Sequence, residues 1–313
     1  VISEFKISNL GREMGMTTLG AGRDEVLGLD RDRFRAELDE LVDGYDELDA
    51  SLFFQLVHCA YERVLGHGDV KRLLFYHIHN PDVDAKLNFI RLMPEACWLV
   101  MVREPIQSCE SWVRNRFSGK EYPDIVSRMI TMLFAVDDVI FRDRDCMGVR
   151  LEDLKNHPQE TMLALCDWLG IQEEDSLYEM TAQGKRWWGD LSTPDLKKDH
   201  ETPFGQGSIN RAVGSIFSDR DQFILGTLFY PFSVYFGYVD EDLAGFKSAL
   251  RQVRPMFDDL FDFERRLIES DGLDVEEFKG SGSYRYLRVG MLNRWNVLNA
   301  FHTYPHMLRC LRV

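Results

Sequence analysis

The chain has 313 residues and a formal net charge of −15, from 37 Lys and Arg against 52 Asp and Glu. Hydrophobic residues make up 45% and charged residues 28%, proportions that exclude disorder for most of the chain. The negative charge disfavours binding to nucleic acid, and no apolar run reaches the ~20 residues that a membrane helix needs. The six cysteines show no metal-type or disulfide-type spacing, which predicts free thiols in a reducing, cytoplasmic compartment.

Helices dominate the predicted elements of the first ninety residues. Asp30 can cap a helix, because apolar residues follow it at helical spacing. The same spacing predicts helices over 51–65 and 83–93. Between them, residues 72–78 form a short apolar run that is typical of a strand.

Strands and helices then alternate. Residues 96–102 and 147–151 are short apolar runs of strand type, and helices are predicted around 124–137 and over 156–169. Pro105 stands where a first helical residue would lie. This alternation predicts an α/β fold with a parallel sheet flanked by helices.

The last seventy residues differ in pattern. Apolar residues recur over 243–267 at spacings of three and four, and Pro255 must split this helical stretch. We therefore divide the chain into an α/β domain over 1–240 and a helical extension over 241–313. We expect the extension to pack on its own α/β domain; a seam between two copies, giving a homodimer, is the alternative.

The most informative stretch lies around Arg103. An apolar strand ends at this arginine, a helix begins at Pro105, and Ser111 follows the arginine by eight residues. Ligands of open α/β sheets bind outside the carboxyl ends of the strands. Arg103 can bind an anion through two hydrogen bonds from its guanidinium, and the Ser111 hydroxyl can donate another. A surface ion pair is the alternative for an arginine taken in isolation.

This stretch resembles the second cofactor signature of the sulfotransferases that use 3′-phosphoadenosine 5′-phosphosulfate (PAPS), with Glu104 in place of the usual Asp. Residues 148–170, with Arg150-Leu-Glu-Asp-Leu154, are similar to the family's R-x-E-D-L strand and helix. Residues 210–214 look like its late R-x-G-x-x-G loop, of which only the last glycine is kept. Residues 235–238 are similar to its closing L-G-Y, so the resemblance covers about 4–240.

The resemblance implies a P-loop-like sulfotransferase fold and a site for the 3′-phosphate of PAPS. Arg103, Ser111, Arg211 and Gly214 are the cofactor-binding residues that it implies. The reaction moves a sulfuryl group to a hydroxyl or amine of a small-molecule, lipid or carbohydrate acceptor, leaves adenosine 3′,5′-bisphosphate, and requires no metal. The alternatives are a catalytically inactive nucleotide-binding module and a nucleotide kinase, whose G-x-x-x-x-G-K-S/T loop is not seen.

The family's first signature, a glycine-rich loop for the 5′-phosphosulfate, has no clear counterpart. Residues 11–19 mimic its ending but lack the basic residue and the glycine before the threonine pair. Residues 1–6 look instead like the segment that follows the loop. We therefore expect the loop to lie upstream of Val1, and 11–19 to be a turn-rich connector.

A candidate catalytic base closes the run over 72–78. His77-Ile-His79-Asn-Pro81 is similar to the family's K-T-H-L-P, in which the histidine is the base, and this implies His79 for that role. A histidine suits removal of a proton from an acceptor hydroxyl near neutral pH. The alternatives are a pair of metal ligands, a core histidine, or a glutamate base elsewhere in the chain.

Overall fold

The computed structural model of the chain describes residues 19–67, 73–78, 83–135, 144–187, 204–205, 209, 212–301 and 308–313. The chain divides into two compact units, each of which draws on two stretches of sequence. The first unit comprises Val1–Ala96 with Ile171–Gly205, and the second comprises Cys97–Gly170 with Gln206–Val313. Residue 240, where the sequence suggested a domain boundary, lies inside the second unit.

The helices are α1 Arg31–Asp43, α2 Ala50–Val64, α3 Val83–Leu92, α4 Pro105–Ser118, α5 Tyr122–Phe134, α6 Leu151–Asn156, α7 Pro158–Leu169, α8 Asp219–Tyr235, α9 Leu243–Val253, α10 Asp262–Asp271, α11 Val275–Gly280 and α12 Gly282–Phe301. Short 3₁₀ helices span Asp175–Tyr178 and Arg254–Asp258. The strands are β1 Trp98–Val102, β2 Cys146–Arg150, β3 Thr181–Ala182, β4 Lys185–Arg186 and β5 Arg309–Cys310.

The first unit is built on a pair of capped helices. Asp30 accepts a hydrogen bond from the backbone N–H of Arg33 at 3.0 Å, which satisfies one of the free donors at the start of α1. Asp49 caps α2 in the same way, through the N–H of Leu52 at 2.7 Å. The apolar faces of the two helices bury Phe34, Val57 and Ala60 between them, as the helical spacing predicted.

The prediction of a strand over 72–78 is wrong for residues 73–78, which are the part of this run that the structure describes. Residues 73–78 have no regular secondary structure, and the side chains from Leu73 to Tyr76 are exposed. A strand needs a neighbouring strand to take its hydrogen bonds. Tyr76 instead packs on helices: its ring stacks on Phe89 of α3 at 5.2 Å and meets Phe54 of α2 edge-on.

The second unit contains a small parallel sheet with strand order β1-β2-β5. β1 and β2 pair in parallel from Trp98↔Cys146 to Val102↔Arg150. β5 pairs in parallel with β2 through Met147↔Arg309 and Gly148↔Cys310. The fold is therefore α/β and mostly helical, as the alternation of strands and helices predicted. Residues from the predicted C-terminal extension supply the third strand.

The two faces of β2 meet different partners. Met147 and Val149 pack with Leu165 of α7. Gly148, between them, points the other way, toward Phe236 just after α8. The helix predicted over 156–169 begins at Pro158, because Asn156 ends the separate helix α6, and Gly170 closes α7 with a φ of +64°.

One large hydrophobic core joins the remaining helices of this unit. It contains buried residues of α4, α5, α8, α9, α10, α11 and α12. Pro255 lies in the 3₁₀ turn that separates α9 from α10, which confirms the predicted division. Buried Glu264 of α10 accepts the hydroxyl of Tyr122 and pairs with Arg288 of α12, both at 2.5 Å. The C-terminal helices thus pack on their own chain, as we expected.

Candidate functional site

Arg103 lies at the carboxyl edge of the sheet, directly after β1. Because β1 and β2 are parallel, their carboxyl ends meet at the same edge, where Val102 is paired with Arg150. The Arg103 side chain is partly buried, and its Nε donates to Oε1 of Gln107 at 2.9 Å. The guanidinium is therefore tied to the first turn of α4.

Glu104, between β1 and α4, is the N-cap of α4. Its carboxylate caps α4 by accepting the backbone N–H groups of Ile106 at 3.2 Å and Gln107 at 2.5 Å. Burial raises the pKa of Glu104, and the nearby Glu152 carboxylate raises it further, while the two N–H groups and Arg103 oppose the shift. The turn from β1 into α4 is thus held by the side chain of its own capping residue.

Ser111 lies on the same line of α4 as Gln107. The two residues are four apart, so their side chains share a helix face, and Arg103 precedes Gln107 by the same interval. Ser111 is partly buried. Arg103 itself lies two residues before α4 begins, so it is related to Ser111 through Gln107, to which it bonds.

Gly214 is held against α4 by Glu110. The Glu110 carboxylate, 1% exposed, accepts the backbone N–H groups of Gly214, Ser215 and Phe217 at 3.0, 3.0 and 3.2 Å. It also accepts the Ser215 hydroxyl at 2.6 Å. Gly214 has a φ of +109°, which favours glycine. Its N–H donates to Glu110, so its contribution to this site is the turn that it forms.

A second contact fastens the same stretch of chain from its other side. Nε2 of Gln107 donates to the carbonyl of Ile209 at 3.0 Å. Described residues before and after Arg211 are therefore hydrogen-bonded to α4, the helix that carries Ser111. Arg103 and Gly214 are each hydrogen-bonded to a side chain of this helix, Arg103 to Gln107 and Gly214 to Glu110.

Two candidate residues, Arg211 and His79, lie outside the described residues. Residues 1–18 do so as well, and they include the 1–6 segment and all but the last residue of the 11–19 segment. Leu19, the last residue of the Gly11–Leu19 segment, is buried and bridges to Glu25 and Trp187. His77, the second histidine of the motif, is described and is exposed.

Three polar residues of this region were missed by the sequence analysis. Glu152 accepts the backbone N–H of Glu104 at 3.0 Å and the hydroxyl of Tyr238 at 2.9 Å. Glu152 and Tyr238 both lie in segments that carry the family resemblance, and this resemblance was the signal that could have singled them out. Glu110 lies inside the Arg103–Ser111 stretch, but nothing in that stretch indicates its role, because only the fold brings residues 214–217 to its carboxylate.

Among the described residues, no three His, Cys, Asp or Glu side chains lie together in a way that could hold a metal ion. None of the described helices is both long and apolar enough to cross a membrane. No protein-family model matches this chain, and no curated protein or solved structure matches it.

Proposed function

We propose that this chain is a sulfotransferase that uses PAPS and has the P-loop-like sulfotransferase architecture. The observation that carries the proposal is the meeting of two sequence segments, 103–111 and 209–217, at α4. Arg103 bonds to Gln107 in its first turn, Ser111 lies one turn further on, and Gly214 is tied to Glu110. These are segments to which the family resemblance assigns the 3′-phosphate.

The side chains suit a phosphate dianion. Arg103 offers a forked, permanently charged donor, Arg211 would offer a second one, and Ser111 adds a hydroxyl. Because Gly214 donates its N–H to Glu110, this N–H is not assigned to the phosphate. Binding outside the carboxyl ends of β1 and β2 agrees with the usual ligand position in open α/β sheets.

The chemistry is an in-line displacement at sulfur. PAPS supplies the sulfuryl group on a 5′-phosphate leaving group; the acceptor oxygen forms a bond to sulfur, and the bond from sulfur to the 5′-phosphate oxygen breaks. His79 takes the acceptor's proton, and the products are a sulfate ester and the bisphosphate nucleotide. Arg103, Ser111 and Arg211 hold the nucleotide in place, which is where most of the catalytic advantage of such transfers arises.

The acceptor class stays broad in this proposal. The proposed acceptor is a hydroxyl or amine on a small molecule, lipid or carbohydrate. The proposed location of the protein is the cytoplasm. The charge of −15 weakly disfavours a long polyanionic glycan as acceptor.

Binding of two nucleotides tests the donor site. Adenosine 3′,5′-bisphosphate should bind the wild-type protein much more tightly than AMP in calorimetry, because AMP lacks the 3′-phosphate. Arg103→Ala should erase most of this preference, since a charge-assisted contact is worth about 1.5–3 kcal/mol. Lys155→Ala, on the separate helix α6, is the control and should keep the preference. Equal affinity of the wild-type protein for the two nucleotides would refute the proposal.

Turnover tests the catalytic base. His79→Ala should lower sulfuryl transfer from PAPS to a phenolic or alcoholic acceptor by roughly 10²-fold or more, with bisphosphate affinity unchanged. His77→Ala is the matched control and should stay active. An inactive His77→Ala beside an active His79→Ala would reassign the base. A wild-type protein that binds the bisphosphate but turns over no acceptor would favour the inactive binding module.

A further inference from the structure

Glu152 is the point at which three segments of the second unit meet. Its Oε1 accepts the backbone N–H of Glu104 at 3.0 Å, and its Oε2 accepts the hydroxyl of Tyr238 at 2.9 Å. Glu104 belongs to the turn between β1 and α4, and Tyr238 follows α8. Each carboxylate oxygen thus has a donor from a different part of the chain, 48 and 86 residues away.

The bond to Glu104 acts on Arg103 through the backbone. The N–H of Glu104 belongs to the planar peptide unit that joins Arg103 to Glu104. A hydrogen bond to this N–H therefore fixes the orientation of the peptide plane that follows the Cα of Arg103. The Glu104 side chain then caps α4 at Ile106 and Gln107, and Gln107 accepts the Nε of Arg103. A continuous series of hydrogen bonds runs from Tyr238 to the Arg103 guanidinium.

Arg150 holds the other end of this series. Its guanidinium carbon lies 4.7 Å from the centre of the Tyr238 ring, and its Nε lies 3.6 Å from a carboxylate oxygen of Asp153. Burial raises the pKa of the Tyr238 hydroxyl, and the Glu152 carboxylate raises it further, so the hydroxyl remains a donor at neutral pH. Arg150, at the end of β2, thus contacts Tyr238 and Asp153, whereas Arg103, after β1, bonds to Gln107.

We propose that Glu152 is a positioning residue for Arg103, and that Tyr238 holds Glu152 in that role. This inference rests on the proposed function, because it takes Arg103 as the group that binds the 3′-phosphate. Glu152 acts through the turn that it fastens and makes no contact with the nucleotide itself. Loss of its carboxylate leaves the Glu104 N–H and the Tyr238 hydroxyl without their acceptor, and the turn loses its fixed orientation.

The test compares bisphosphate and AMP affinities by calorimetry in the full chain. Glu152→Ala should weaken bisphosphate binding by about tenfold and leave AMP binding within about twofold, because only the 3′-phosphate contact is misaligned. Tyr238→Phe, which keeps the ring beside Arg150, should weaken bisphosphate binding by about threefold. Glu152→Gln keeps one oxygen and should retain more of the preference than Glu152→Ala. Glu160→Ala, which removes an exposed carboxylate on α7, is the matched control and should change neither affinity.

A double variant separates positioning from general structure. In the Arg103→Ala background, Glu152→Ala should cause no further loss of bisphosphate affinity, because the group that it positions is already gone. Loss of both affinities alike in Glu152→Ala, or a full further loss in the double variant, would overturn the inference. Unchanged preference in Glu152→Ala and Tyr238→Phe would overturn it while leaving the proposed function intact.

The outcomes of the two proposals are distinguishable. A wild-type protein without a preference for the bisphosphate would overturn the proposed function, and the inference with it. A wild-type preference that Arg103→Ala abolishes, but that Tyr238→Phe and both Glu152 variants keep, would overturn the inference alone. If Glu152→Ala does not fold, Tyr238→Phe and Glu152→Gln decide the question.

Discussion

A single buried carboxylate fastens residues 214–217 to α4. Glu110 receives three backbone N–H groups and one hydroxyl, which is how a loop of this kind would surround a bound anion. Burial by itself would raise the pKa of Glu110, but the hydrogen bonds from Ser215, Gly214 and Phe217 together lower it below the ordinary value of 4.5. The folded state therefore favours the charged form of this side chain.

This direction predicts how stability depends on pH. A lowered pKa in the folded state contributes stability above pH 4.5, and this stability is lost as the pH falls through the lower, folded-state value. Glu110→Gln should cost about 1.5–3 kcal/mol of unfolding free energy at pH 7, measured by urea denaturation. The difference from wild type should shrink below pH 4.5. Glu160→Gln, an exposed position on α7, is the control; a cost for Glu110→Gln that does not vary with pH would contradict the argument.

At the scale of elements, the sheet and α8 approach each other closely at one residue. A Cβ added to Gly148 of β2 would lie 2.8 Å from two carbons of the Phe236 ring and 3.0 Å from Leu308. Gly148 is fully paired in the sheet, with Val100 on one side and Cys310 on the other, so the strand cannot move away by itself. The central strand thus depends on the absence of a side chain at this position.

Gly148→Ala should therefore destabilise the protein. Overpacking of a filled core costs about 1–3 kcal/mol. The Phe236 ring is rigid, so it cannot make room for the added Cβ by a small rotation at the end of a flexible side chain. The midpoint of thermal or urea unfolding should fall accordingly. Gly282→Ala is the matched control, because no atom lies within 4 Å of its added Cβ. Phe236→Leu should recover part of the loss in the double variant, and an undiminished loss there would argue against this contact as the cause.

At the scale of the whole molecule, the C-terminal residues complete the second unit. Half of the buried residues in its large core lie after residue 240. β5 adds a strand to the sheet, and Glu264 and Arg288 form a buried pair that Tyr122 of α5 joins. Each large apolar side chain that is buried contributes roughly 1.5–3 kcal/mol, so the loss of this half exceeds the stability of an ordinary domain.

Deletion of residues 241–313 should consequently prevent folding of the second unit. We expect an insoluble product, or a soluble one that shows no cooperative unfolding and no binding of the bisphosphate nucleotide. Deletion of Val313 alone, which is exposed, is the control and should leave folding intact. A soluble 1–240 fragment with a cooperative transition would show that the extension is dispensable. The measurements are the soluble yield, circular dichroism and calorimetry.

Local sequence determined most of the helices and the site's first outline. Capping residues and Pro105 predicted where α1 and α4 begin, and helical spacing predicted α2, α3 and α7 to within a few residues, since capping and periodic burial act within one or two turns. The two apolar runs that became β1 and β2, with Arg103 after the first, followed from the same kind of short-range signal. The eight-residue interval from Arg103 to Ser111 needed no tertiary information.

Pairings between distant segments were decided only by the tertiary structure. Residues 73–78 have strand-like composition but no strand partner among the described residues of their unit, and Tyr76 packs on Phe89 instead. β5 is a two-residue strand that is defined by its pairing with β2. Glu110 gained its role from a donor 104 residues away in the chain, and Glu152 from donors 48 and 86 residues away. Hydrogen bonds of this kind depend on which segments the core brings together, and no local pattern encodes them.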